Sequence, residues 1–204
     1  MKVLGQGWQY TTYDLGNGRV LKKFHPLFKS YWVILKQVFP FQNDWPWQIP
    51  TFSRHMKEKA VESFRILKRH TIPLAWLGNP VFLNEFDFEQ DKVRPLHDVL
   101  SGMSVDEAKK LIDDFVGFIT KLLQFGVIDK SFNITKNYGL TDGGQLILLD
   151  IGELLDEPTA VEHQLMSPVW SKPYVAGCIE DAEVRRYFLE QMDEHFTPHR
   201  GTGR

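Results

Sequence analysis

VIDKSFNITKNYGLTDGGQLILLDIGEL, residues 127–154, contains the turn on which the reading of the whole chain depends. Residues 138–140 and 145–150 suit strands, and Thr141-Asp142-Gly143-Gly144 between them has the small, polar and glycine residues of a tight turn. The pattern predicts a hairpin whose second strand, apolar from Leu146 to Leu149, delivers Asp150 and then Gly152. A carboxylate at the end of a buried strand, followed by glycine, suits a hard divalent cation, which takes oxygen ligands and needs room beside them. Asn137, just before the hairpin, is a second oxygen donor, and 150 − 137 = 13 positions separate the two.

Working outward, the chain has 204 residues, of which 43% are hydrophobic and 25% charged, a balance that supports a packed core and argues against disorder. The formal net charge of −2 leaves no basic footprint for a general nucleic-acid binder. Cys178 is the only cysteine, so no internal disulfide forms and a reducing compartment is expected. MKVLGQGWQY lacks the apolar core of a signal peptide, and the run YWVILKQVF at 31–39 is too short to span a bilayer. The expectation is a cytoplasmic protein.

Residues 1–24 read as β-structure: a glycine-containing turn at 5–7, the run TTYDL, the turn Gly16-Asn17-Gly18 and the run RVLKKF. Residues 25–56 form an insertion dense in aromatics and prolines, with one short helix near 28–38. Such a segment packs on its own domain more often than it docks a protein or membrane surface. At 54–70, Ala60, Val61, Phe64 and Leu67 recur at helical spacing. Strands are expected at 73–78 and 80–88, and a short helix near 95–101. Ser104 and Glu107 form a capping box for a long amphipathic helix that stops at Gly126. Proline-containing loops then lead to a helix at about 180–195 and a tail, 199–204, expected to be disordered.

A hairpin with a glycine loop, a strand with lysines, a helix with glutamates, further strands, a long helix, a loop with asparagine, a hairpin and Asp-hydrophobic-Gly follow one another over roughly residues 1–155. In this order the chain resembles the protein-kinase-like superfamily, in particular its small bacterial kinase-like and aminoglycoside-phosphotransferase-like branches. The resemblance implies an α+β, two-lobed fold, with an N-lobe over 1–90 and a shortened helical C-lobe over 91–198. It implies ATP and Mg²⁺ as cofactors. Gly5 and Gly7, in Gly5-Gln6-Gly7-Trp8-Gln9-Tyr10, stand for two of the three glycines of the phosphate-covering loop. Lys22 falls where the family's Val-Ala-Ile-Lys puts the phosphate-binding lysine, and Lys23 lies on the opposite strand face. Glu62 or Glu58, on one helix face, would hold that lysine, and the apolar pattern favours Glu62. The adenine-binding hinge would fall at Glu85-Phe86-Asp87-Phe88. Asp150-Ile151-Gly152 matches Asp-Phe-Gly and Asn137 the catalytic-loop asparagine, so this pair would bind Mg²⁺.

The family's catalytic loop reads His-Arg-Asp-x-x-x-x-Asn, with the base five positions before the asparagine. Five before Asn137 stands Phe132, with Lys130 and Ser131 in place of His and Arg. The nearest carboxylate, Asp129, comes three residues too early. Pairing Asp129 with Asn133 instead breaks the thirteen-residue spacing to Asp150. Either an extra bend brings Asp129 into place as the catalytic base, or the chain has no base. General-base assistance is worth roughly 10²–10⁴-fold, so a chain without it keeps the binding site and loses most of the turnover.

Two functions follow from the resemblance. One is an ATP- and Mg²⁺-dependent phosphotransferase acting on a small-molecule, sugar or lipid-linked acceptor. The other is a pseudokinase serving as a nucleotide-binding or protein-interaction scaffold. No Ala-Pro-Glu element occurs among the 52 residues after Gly152 (204 − 152 = 52), which turns the expectation away from peptide acceptors. The seven histidines show no paired metal-ligand spacing.

Overall fold

The computed structural model describes residues 1–7, 9–38 and 49–197. Trp8, residues 39–48 of the aromatic insertion and the tail with its expected disorder lie outside the described residues.

The chain is α+β, as its sequence predicts. Strands β1 (Lys2–Gln6), β2 (Tyr10–Asp14), β3 (Arg19–Phe24), β4 (Val81–Phe82) and β5 (Phe88–Asp91) form an antiparallel sheet in the order β1-β2-β3-β5-β4. The β2–β3 turn needs its glycines: Gly16 and Gly18 both have φ of 77°, and the Gly16 amide donates to Asp14 Oδ1 at 2.8 Å. Under the sheet Tyr10 meets Phe24 and Phe88 edge-on, with ring centroids 5.2 and 5.5 Å apart.

Helices α1 (Leu27–Val38) and α2 (Ile49–His70) separate β3 from β4. Helix α2 starts before residue 54, because Pro50 is tolerated in a first turn, where its missing amide has no partner to lose. Its apolar stripe buries Met56, Ala60, Phe64 and Leu67, together with Ser63. Two strand expectations change. Residues 74–77 are a 3₁₀ turn, closed by Gly78 in the left-handed region, where a Cβ would stand 2.7 Å from Ile147 Cδ1. The run 80–88 is broken into β4, a turn and the start of β5. Asn84 breaks it, its side-chain oxygen accepting from the amides of Phe86 and Asp87 at 2.9 and 2.8 Å.

The chain enters the second half at Lys92–Val93. There β6 (Arg94–Pro95) pairs with β8 (Tyr138–Leu140), which pairs with β9 (Leu146–Leu148) as the predicted hairpin. After α3 (Leu96–Leu100) comes α4 (Val105–Gln124), with the Ser104–Glu107 capping box in place. Helix α4 buries Leu111, Phe115, Ile119 and Leu122 and packs on α7 (Ala182–Phe196). The short elements β7 (Ile128–Asp129), α5 (Ile134–Asn137) and β10 (Leu154–Leu155) lie around the hairpin. Helix α6 (Pro158–Met166) was not legible in the sequence, because it buries none of its residues and so shows no apolar stripe. One apolar core joins Tyr10, Phe64 and Phe88 to Phe115, Trp170 and Phe188. No described helix is long and apolar enough to cross a membrane.

Candidate functional site

Lys22 leaves β3 toward the second half and donates its ammonium to the carbonyl of Leu149, the residue before Asp150. Lys23, on the other strand face, is exposed. Burial pushes the Lys22 ammonium down to about 8, and the negative charge of Asp150 works against that fall. A cation from the sheet and an anion from the hairpin thus face each other across the two halves of the chain.

The Asp150 turn is locally held: Asp150 Oδ1 accepts from the Gly152 amide at 3.1 Å. The carbonyl of Asn137 accepts from the amides of Leu149 and Asp150 at 2.7 and 3.3 Å, so the two expected metal ligands start from touching backbones. The Asn137 side-chain nitrogen donates to Asp129 Oδ1 and Oδ2 at 3.2 and 3.1 Å and to Ser131 Oγ at 2.8 Å. Its amide oxygen is the atom left for a ligand.

Asp129 is 1% exposed, fixed by the pairing of β7 with β10 at Leu154. Burial raises its carboxyl to about 7, against the hydrogen bonds from Ser131 and Asn137, and the charges of Asp150 and Glu153 add to the rise. The eight positions from Asp129 to Asn137 are taken up in two steps. Phe132 adopts φ of 50°, a left-handed conformation that a bulky residue rarely takes, while its ring enters the core edge-on to Trp170 at 5.5 Å. Then α5 adds one turn, capped by Asn133 Oδ1, which accepts from the Lys136 amide at 3.2 Å and Thr135 Oγ1 at 2.9 Å. Asn133 also donates to the Tyr174 carbonyl at 3.1 Å, so it is a loop brace rather than the partner of Asp129. Phe132, at the counted position of the base, is a core anchor.

Other expected residues stand elsewhere. Glu62 is not at Lys22: it lies on the outer face of α2, 3.2 Å from Arg65 and 3.5 Å from Arg69. The inward positions of α2 are set by the stripe of Ala60, Phe64 and Leu67, which turns residue 62 away. Glu58 is likewise exposed, near His55. Helix α2 reaches the site through two other residues. Lys59 Nζ is 3.8 Å from Glu153 Oε1, and Ser63 Oγ accepts from the Leu154 amide at 2.9 Å. Burial and the Asp150 charge both raise the Glu153 carboxyl. Glu85 is in the exposed β4–β5 turn and not in a hinge. The crossing lies at Lys92, whose amide donates to the Gly18 carbonyl at 2.9 Å.

Gly5 sits at a bulge within strand β1, and Gly7, whose amide donates to the Tyr10 carbonyl at 2.9 Å, belongs to the β1–β2 loop. Gln9, from the same loop, reaches Gly152, and sequence reasoning passed over it. The signals for Glu153 and Gln9 were adjacency alone: one follows the Asp-Ile-Gly turn and the other the glycine loop.

Among the described residues, no group of three or more His, Cys, Asp or Glu side chains is arranged to hold a metal by itself. Asn137 and Asp150, whose backbones touch, are the two residues that could offer oxygens to a hard cation such as Mg²⁺, which takes its other ligands from phosphate and water. A cavity of about 300 Å³, walled by His97, Met103, Thr135 and Cys178, lies among α3, α4 and α7.

No protein-family model matches the chain, and no curated protein does. Among solved structures it is similar to the complex of Rv3197 with erythromycin from Mycobacterium tuberculosis, at 11% identity and a TM-score of 0.46, over 88% of this chain and 53% of that one. It is also similar to the bifunctional kinase-methyltransferase WbdD, at 15% identity and a TM-score of 0.43, over 96% of this chain and 44% of that one. The chain thus spans about half the length of these structures.

Proposed function

We propose that this chain is a kinase-like phosphotransferase that uses ATP with Mg²⁺ and acts on a hydroxyl of a small-molecule, sugar or lipid-linked acceptor. The observation that carries this reading is the convergence of Lys22, Asn137, Asp150 and a buried Asp129 from three separate stretches of chain. Lys22 would hold anionic phosphate, and the burial that disfavours its charge would be offset by that anion. Asn137 and Asp150 are the residues that would hold Mg²⁺, whose chemistry is to neutralise charge on the phosphates. Asp129 would take the proton of the acceptor hydroxyl, and a carboxyl titrating at about 7 is well matched to a base working near neutral pH. The non-protein acceptor is supported by the segment after Gly152: β10, α6 and two 3₁₀ turns fill residues 154–178, with no Ala-Pro-Glu element.

The test is ADP formation from ATP in Mg²⁺, with water and a panel of sugars and polyols as acceptors. Wild type forms ADP, Asp150→Ala forms none, and Asp129→Ala is slower by at least about tenfold. ADP formation unchanged by Asp150→Ala overturns the reading.

A second reading, a pseudokinase scaffold, is favoured by one observation. Phe28 and Trp32 are 75% and 47% exposed on α1, more than a segment that only packs on its own domain would leave in water. It predicts no turnover, and a protein or membrane-surface partner lost on Phe28→Ser with Trp32→Ser.

A further inference from the structure

We infer that Gln9 recognises the terminal phosphate of the metal-bound nucleotide, which makes it a specificity residue for nucleoside triphosphate over diphosphate. This rests on the phosphotransferase reading above. Gln9 is 6% exposed, and its carbonyl accepts from the His25 amide at 2.8 Å. Its side chain crosses to the second half: a Cβ on Gly152 would stand 2.2 Å from Gln9 Oε1 and 3.2 Å from its Cδ. Gly152 therefore keeps open the space the carboxamide enters. Neither Oε1 nor Nε2 of Gln9 has a hydrogen-bond partner among the described residues.

A buried amide with neither end paired to a protein group costs folding free energy, and an apolar side chain of similar shape would avoid that cost. The carboxamide therefore answers to something that binds. That ligand must offer an acceptor to Nε2 and a donor to Oε1. A bare anion satisfies only the nitrogen and a bare cation only the oxygen. A phosphate whose Mg²⁺ keeps its waters satisfies both, the phosphate oxygen accepting and a metal-bound water donating. The surroundings select the same ligand: the Asp150 carboxylate would lie 3.2 Å from that Cβ position, and Lys22 supplies a cation one residue away at Leu149. Gln9 reaches the Asp150 turn, beside which the metal-bound terminal phosphate would lie on the phosphotransferase reading.

Calorimetric titration of the full chain with Mg·ATP and with Mg·ADP tests this on wild type, Gln9→Leu and the isosteric Gln9→Glu. Gln9→Leu should weaken Mg·ATP by about tenfold and leave Mg·ADP within about twofold, since a hydrogen bond to a charged group is worth roughly that factor. Gln9→Glu keeps the shape but sets a negative charge against the phosphate, so Mg·ATP weakens further. Gln9→Leu should also melt at a higher temperature than wild type in the absence of nucleotide, because it removes two unpaired buried atoms. Mg·ATP affinity unchanged in both variants would overturn the inference, as would a parallel loss of Mg·ATP and Mg·ADP. A wild type that binds neither nucleotide fails one step earlier, at the phosphotransferase reading itself.

Discussion

Asn137 donates its side-chain amide to both carboxylate oxygens of Asp129, at 3.2 and 3.1 Å, across eight positions of chain. The contact gives the loop a carboxylate beside its asparagine without an Asp five positions before it. It also holds that carboxylate out of water, and several consequences follow from its burial.

The first concerns pH. The Asp129 carboxyl titrates at about 7 in the folded chain and at 3.8 when unperturbed. Between those values the native state holds a proton that the unfolded chain has lost, so this group lowers stability as pH rises through that window. Asp129→Asn should therefore gain more in melting temperature at about pH 8 than at about pH 5. Turnover by wild type should climb as pH passes about 7, where the base loses its proton, and Asp129→Asn should flatten that climb. Equal melting shifts at the two pH values would contradict the raised carboxyl.

Lys22 gives the opposite slope. Its ammonium titrates at about 8 against 10.5 for an unperturbed lysine, so the charge costs stability below that lower value. The cost fades as pH rises toward the upper value. Lys22→Met should raise the melting temperature at about pH 7 more than at about pH 10 while weakening nucleotide binding by at least about tenfold. Thermal melts and titrations on the same sample check both halves.

Phe132 stands where counting puts the base, yet its ring is fully buried against Trp170 and Phe196. Phe132→Asp should therefore fail to raise turnover, and should destabilise the fold by more than about 3 kcal/mol, since it trades a core aromatic for a buried charge. Denaturant unfolding measures the loss. A stable, faster Phe132→Asp would show that the loop bends differently.

Helix α2 meets the site through Ser63 and Lys59 rather than Glu62. Glu62→Ala should leave nucleotide affinity within about twofold and stability within about 0.5 kcal/mol, as for an exposed ion pair. Ser63→Ala leaves the buried Leu154 amide without its acceptor and should cost about 1–3 kcal/mol. A large affinity loss in Glu62→Ala would place that side chain at Lys22 after all.

The hairpin 138–148 and its Asp150 turn were legible because strand periodicity, turn chemistry and a buried apolar run all point one way there. The capping box of α4 was legible for the same reason, its signal being local. Residue counting failed at Asp129 because the left-handed Phe132 and the single turn of α5 leave no periodic trace. It failed at Glu62 because two glutamates of α2, Glu58 and Glu62, compete for one inward role, and only packing decides which face turns in. The hinge was misplaced because Asn84 splits one apolar run into two strands. Gln9 was invisible, since only the three-dimensional approach of Gly152 gives its amide a meaning.

The most direct measurement is calorimetric titration of ATP into wild type and Asp150→Ala, each with and without Mg²⁺. Binding by wild type that needs Mg²⁺ and disappears in Asp150→Ala is the predicted result. Binding to wild type that is indifferent to Mg²⁺ and to the substitution, or no binding to a well-folded wild type, would contradict a metal–nucleotide site between Lys22 and Asp150.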